Sequence, residues 1–78
     1  MQDIHKLIAE QFGLGKVHPD DNLIVDLRGD LLDIVELVMR LEEKYNINIS
    51  DIESDKIKTV KDAVDCVTAK IANKSLVN

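Results

Sequence analysis

Carboxylates are the reactive side chains in which this chain is rich, and Asp30, Asp33, Glu36, Glu42 and Glu43 all fall in one run, DLLDIVELVMRLEE. Two carboxylates can divide acid and base work only if they converge on one bond. Helical neighbours such as Glu42 and Glu43 point about 100° apart and cannot. The chain has no Ser-His-Asp or Cys-His arrangement and no phosphate-cradling glycine loop, and it is too short to close a pocket around a substrate, so it reads as no enzyme. His5 and His18 have no cysteine or second histidine at ligand spacing, and Asp20, Asp21 and Asp26 lack the central glycine and closing glutamate of a calcium loop; no metal site is expected. Arg28-Gly29-Asp30 is the tripeptide integrins read, but Asp30 is better used as a helix cap. What remains for the carboxylates is to form a surface that attracts basic partners.

The charge distribution agrees. Residues 17–55 carry eleven acids against Arg28, Arg40 and Lys44, a local charge of −8 within a total of −5. That sign repels phosphate backbones, so nucleic acid is not an expected partner. Cys66 is the one cysteine, which excludes an internal disulfide and suits a reducing compartment. No run approaches the ~20 apolar residues of a membrane span, and the first residues lack the layout of a secretory signal. A soluble monomer in the cytoplasm, or in an organelle stroma or matrix, is expected.

At 78 residues the chain makes one domain, 1–78, with a core of Leu, Ile and Val and only Phe12 and Tyr45 as larger fillers. The spacing of Ile4, Leu7, Ile8 and Phe12 predicts a first helix over residues 2–14, stopped by Gly13 and Gly15. A long loop follows, with Leu23, Ile24, Val25 and Leu27 expected to tuck beneath the helices. Asp30 caps a second helix to about Tyr45, with Asp33 in its first turn. Ser50-Asp51-Ile52-Glu53 opens a short third helix by a capping box. Thr59 caps a fourth, apolar at Val60, Ala63, Val64, Val67 and Ile71, with a frayed tail from about residue 73. The expected fold is an all-α four-helix bundle, three longer helices and a short third.

On a wheel, the second helix has two apolar strips. Ile34, Leu37, Val38, Leu41 and Tyr45 span roughly 240–340° from Leu31, while Leu31, Leu32, Val35 and Met39 span roughly 0–100°, with Glu42 among them and Glu36 and Glu43 along the edge. So small a domain can hardly bury both. Either the second strip is an exposed docking surface for a basic partner, or the loop covers it and the acids are a solvated face.

The runs Asp26-Leu27-x-x-Asp30-x-Leu32-Asp33-x-Val35-Glu36-Leu37-Val38-Met39-x-Leu41-Glu42-Glu43 and Ile57-x-Thr59-Val60-x-Asp62-Ala63-Val64-Asp65 resemble the central helix and final-helix entry of acyl carrier proteins of fatty-acid or polyketide synthesis. The resemblance implies a carrier that enzymes act upon. It implies docking through Asp30, Leu32, Asp33, Val35, Glu36, Met39, Glu42 and Glu43 onto basic surfaces of synthesis enzymes and of phosphopantetheinyl transferase. It also implies an acyl-sheltering interior, for which Ile34, Leu41, Ile49 and Ile57 are candidates.

The family's serine, bearer of 4′-phosphopantetheine, falls at Leu31, which has no oxygen to modify. No cofactor is therefore expected on this chain, although the group would be expected if Leu31 were Ser. Ser50 is explained as a cap, Ser54 lacks the flanking motif, and Ser75 is in the tail. Leu31 is either a substitution that locks a carrier in its unmodified form or the mark of a natural noncarrying interaction module; both readings stand. Arg28 is a second departure, since the family usually has a small residue there.

Overall fold

The computed structural model describes the backbone of residues 2–77 and the side chains of 3–73. Among these residues the chain forms four helices, α1 (Gln2–Gln11), α2 (Leu31–Tyr45), α3 (Asp51–Asp55) and α4 (Val60–Val77), and no strand. Helices α1, α2 and α4 pack against one another. This is the expected all-α bundle, with its short third helix and long first loop.

Local chemistry sets each boundary. Helix α1 stops at Gln11 rather than at residue 14, because Gly13 takes a φ of 70°. That turn lets the Gly13 N–H donate to the Glu10 carbonyl (3.2 Å) and the Leu14 N–H to the Ala9 carbonyl (2.8 Å), the paired closure that satisfies a helix end. Helix α2 opens with a reciprocal capping box: Asp30 accepts from the Asp33 N–H and Asp33 from the Asp30 N–H, both at 3.0 Å. It closes at Asn46, whose φ of 53° turns the Asn46 and Ile47 N–H groups onto the Glu42 carbonyl.

Helix α3 has the capping box read from its sequence, between Ser50 and Glu53. At α4, Thr59 Oγ1 accepts from the Asp62 N–H (3.1 Å), and Asp62 accepts from the Lys58 and Thr59 N–H groups. The Lys58 bond leads the causes that hold the Asp62 carboxyl below the ordinary range, against a smaller push from burial. The α4 backbone is helical to Val77, and no glycine or proline lies within it. Asn78 and the side chains of 74–77 lie outside the described residues.

The core is aliphatic, with Ile4, Ile8, Leu23, Leu37, Leu41, Val60 and Val67 fully buried and Phe12, Leu27, Tyr45 and Cys66 packed at its margin. Each fully buried aliphatic side chain contributes about 1.5–3 kcal/mol, so these residues, not the surface charges, hold the helices together. Helix α3 buries none of its side chains; Glu53 ties it to α4 through Lys70, at 2.7 and 2.8 Å.

The long loop corrects one expectation. It is pinned by an antiparallel bridge between Asn22 and Thr59, in which the Leu23 N–H donates to the Lys58 carbonyl (2.9 Å) and the Val60 N–H to the Asp21 carbonyl (3.0 Å). The bridge drives Leu23 into the core, and Leu27 follows partway. Ile24 and Val25 do not tuck in; they face solvent, Val25 at 73%. The reason lies at Asn22, whose side chain accepts the Ile24 and Val25 N–H groups and folds both residues into an outward turn.

Candidate functional site

That Asn22 turn delivers the chain to α2. The Asn22 carbonyl accepts the Asp26 and Leu27 N–H groups, the Asn22 N–H donates to Asp26 (2.7 Å), and the Gly29 N–H donates to the Leu23 carbonyl (2.9 Å). Gly29 is buried where no side chain fits: a Cβ would overlap Phe12 Cε1 and stand 2.8 Å from the Leu23 carbonyl oxygen. Arg28 before it holds a φ of 59°, a left-handed conformation that costs a residue with a Cβ about 1–2 kcal/mol. With Gly29 buried and Asp30 engaged in its cap, Arg28-Gly29-Asp30 is not displayed as an adhesive loop tip.

Leu31 is the first residue of α2 and is 75% exposed. Leu32, Val35 and Met39 follow it on the same side, at 71%, 51% and 60% exposure, while Ile34, Leu37, Val38 and Leu41 are buried. The wheel left open whether the loop covers the second strip; the strip faces solvent and the loop does not cover it. Four large apolar side chains standing together in water form a patch of the kind that marks a contact surface.

The acidic fringe divides on inspection. Asp30, Glu36 and Glu43 are exposed, and Asp33 is half-buried in its capping box. Glu36 accepts from Gln11 Nε2 (3.0 Å), and Gln11 in turn accepts from Arg40 (2.8 Å), whose guanidinium also lies 3.9 Å from Glu10. These contacts turn the Arg40 charge toward α1. Glu42 is half-buried, and its carboxylate accepts the Ile49 N–H at 2.9 Å. Glu42 therefore also braces the segment after α2, by giving that N–H an acceptor.

Ile34, Leu41, Ile49 and Ile57 all reach one core cluster and are buried there. Two grooves lie elsewhere. One is between α1 and α2 near Leu7, Glu10 and Glu43, and the other is between α1 and the loop, lined by Ala9, Leu14 and Val17 with His5 and His18 at its edge. The two histidines, distant in sequence, thus share a groove, but among the described residues no third ligand joins them. Sequence reasoning missed the outward turn at Ile24 and Val25 and the 71% exposure of Ile52 on α3. A single apolar residue in a five-residue helix carries no periodicity that could have flagged Ile52.

The model of the phosphopantetheine attachment site family matches residues 2–67. An acyl carrier protein of Cyanidium caldarium is 43% identical over 77 residues, covering 96% of this chain and 90% of that protein. One of Helicobacter hepaticus is 46% identical over 70 residues, covering 87% and 92%. The crystal structure of an acyl carrier protein from Thermotoga maritima superposes with a TM-score of 0.80 at 30% identity, over 92% of this chain and 86% of that one.

Proposed function

The chain belongs to the acyl carrier protein family, and from that premise we propose that it serves fatty-acid synthesis by docking the exposed ridge of α2 onto basic enzyme surfaces while itself held in the unmodified state. Proteins of this family are carriers, not catalysts. Leu31, Leu32, Val35 and Met39 supply contact area, and Asp30, Asp33, Glu36 and Glu43 supply the field that steers a cationic partner. The observation that carries the reading is one apolar strip standing in solvent beside acids on a helix whose opposite strip is buried at Ile34, Leu37, Val38 and Leu41.

The residues present do not fit covalent attachment of 4′-phosphopantetheine, the group that gives the family a thiol for acyl thioesters. Attachment needs an exposed hydroxyl at the start of α2, and Leu31 offers a hydrocarbon. Ser50 Oγ is committed to the α3 cap, donating to Glu53 and accepting its N–H; Ser54 sits half-buried on α3; the side chain of Ser75 lies outside the described residues. Helix α2 is otherwise intact around Leu31, which favours a carrier lacking only its nucleophile. As a monomer the chain would keep both the ridge and the acids free for its enzymes, in the cytoplasm or an organelle stroma or matrix.

The test is mass spectrometry after incubation with coenzyme A and a phosphopantetheinyl transferase. The chain as given should keep its mass, and the variant Leu31→Ser should gain one phosphopantetheine. If both refuse, the second reading, a natural noncarrying interaction module on the same face, replaces the first.

A further inference from the structure

We propose that Arg28 is a specificity-determining contact of this docking face, a guanidinium presented for a carboxylate on the partner's surface; the inference rests on the docking reading above. Three features of the fold converge on it. Arg28 is exposed and has no hydrogen-bond or ion-pair partner among the described residues. The acids closest to it in sequence are already engaged, Asp26 by the Asn22 N–H and Asp30 by the Asp33 N–H. Its backbone is fixed, for φ is 59° and the next residue is wedged beneath Phe12 and against the Leu23 carbonyl. The direction in which the side chain leaves the loop is therefore set by packing.

Arg28 also breaks the sign of the surface. From Asp30 to Met39 every ionisable residue is acidic, and Arg40, the next cation, is turned toward Gln11 and Glu10. A partner that is uniformly basic would meet attraction along the ridge and repulsion at Arg28. A partner whose basic patch ends in an aspartate or glutamate would meet attraction throughout and gain a planar, two-pronged hydrogen-bonding fit. A phosphate esterified at position 31 would be a competing counter-ion for the guanidinium, but Leu31 carries none. The structure thus selects, among cationic enzyme surfaces, those with a carboxylate where the loop enters α2.

The test uses the full chain and the phosphopantetheinyl transferase of the same genome as the binding probe, with affinities from titration calorimetry at low salt. Arg28→Gln should weaken binding about fivefold, the scale of a pair at an interface rim, and Arg28→Glu more. Lysine at one transferase carboxylate should restore binding to Arg28→Glu. Unchanged or tighter binding of Arg28→Gln overturns the inference. Val35→Lys with Met39→Glu separates the two claims: if this pair abolishes binding while Arg28→Gln does not weaken it, the ridge docks and Arg28 is no determinant. If neither changes affinity, the docking reading falls as well. Circular dichroism melts of each variant confirm that the fold survives.

Discussion

Gly29→Ala tests how the chain is held at the entry to α2. The added methyl would overlap Phe12 Cε1 and press on the Leu23 carbonyl oxygen, which is backbone fixed by its hydrogen bond from Gly29 itself. Overpacking of this kind costs about 1–3 kcal/mol, and the stiffer unfolded chain returns about 0.4–1 kcal/mol. The net expectation is a loss of about 1–2 kcal/mol. With an unfolding entropy of about 2.1 cal/mol/K per residue over 78 residues, each kcal/mol lowers Tm by about 6 °C, so the variant should melt about 6–12 °C lower. Phe12→Leu in the same chain removes the ring from the path of the methyl, so the double variant should lose less than the two single losses added together. The assay is urea and thermal unfolding followed by circular dichroism. A Gly29→Ala chain that melts at or above the parent refutes the packing, and with it the claim that Arg28 leaves a fixed pedestal.

Other consequences are equally direct. Val35→Ser and Met39→Ser should each change stability by less than about 0.5 kcal/mol, whereas Leu41→Ala on the opposite strip should cost about 2–5 kcal/mol; denaturant midpoints compare them. The Lys70 hydrogen bond leads the causes that hold the Glu53 carboxyl below the ordinary range. A depressed folded-state pKa gives stability that is present above the unfolded value and lost as pH falls through the lowered one. Acid should therefore loosen the α3–α4 tie, and Lys70→Gln should flatten that part of the dependence of Tm on pH.

Much of this was legible in the sequence because it depends on neighbours three or four residues apart. The Ser50–Glu53 box, the Thr59 cap and the two strips of α2 are all of that kind, and periodicity placed Leu37 and Leu41 inward without knowledge of the fold. Asp30 was legible as a cap, though its reciprocal bond with Asp33 was not. Ile24 and Val25 were read as buried because apolar loop residues usually are, yet their exposure is decided by Asn22 and by a bridge to Thr59, 37 positions away. Glu42 was assigned to the surface by its wheel angle and by the family resemblance, neither of which registers a bond to a residue seven positions on. Its bond to the Ile49 N–H arises only when the chain turns back through Asn46 in a left-handed conformation. Whether the loop would cover the second strip was likewise a tertiary question that angles could not answer.

The most direct measurement is a nitrogen–proton NMR titration of the intact chain with the phosphopantetheinyl transferase. Docking through the α2 ridge predicts that amide shifts and broadening concentrate from Arg28 to Glu43, centred on Leu32, Val35 and Met39, and fade as salt is raised. Perturbations centred instead on the groove of Ala9, Leu14 and Val17, with α2 unmoved, would contradict the account.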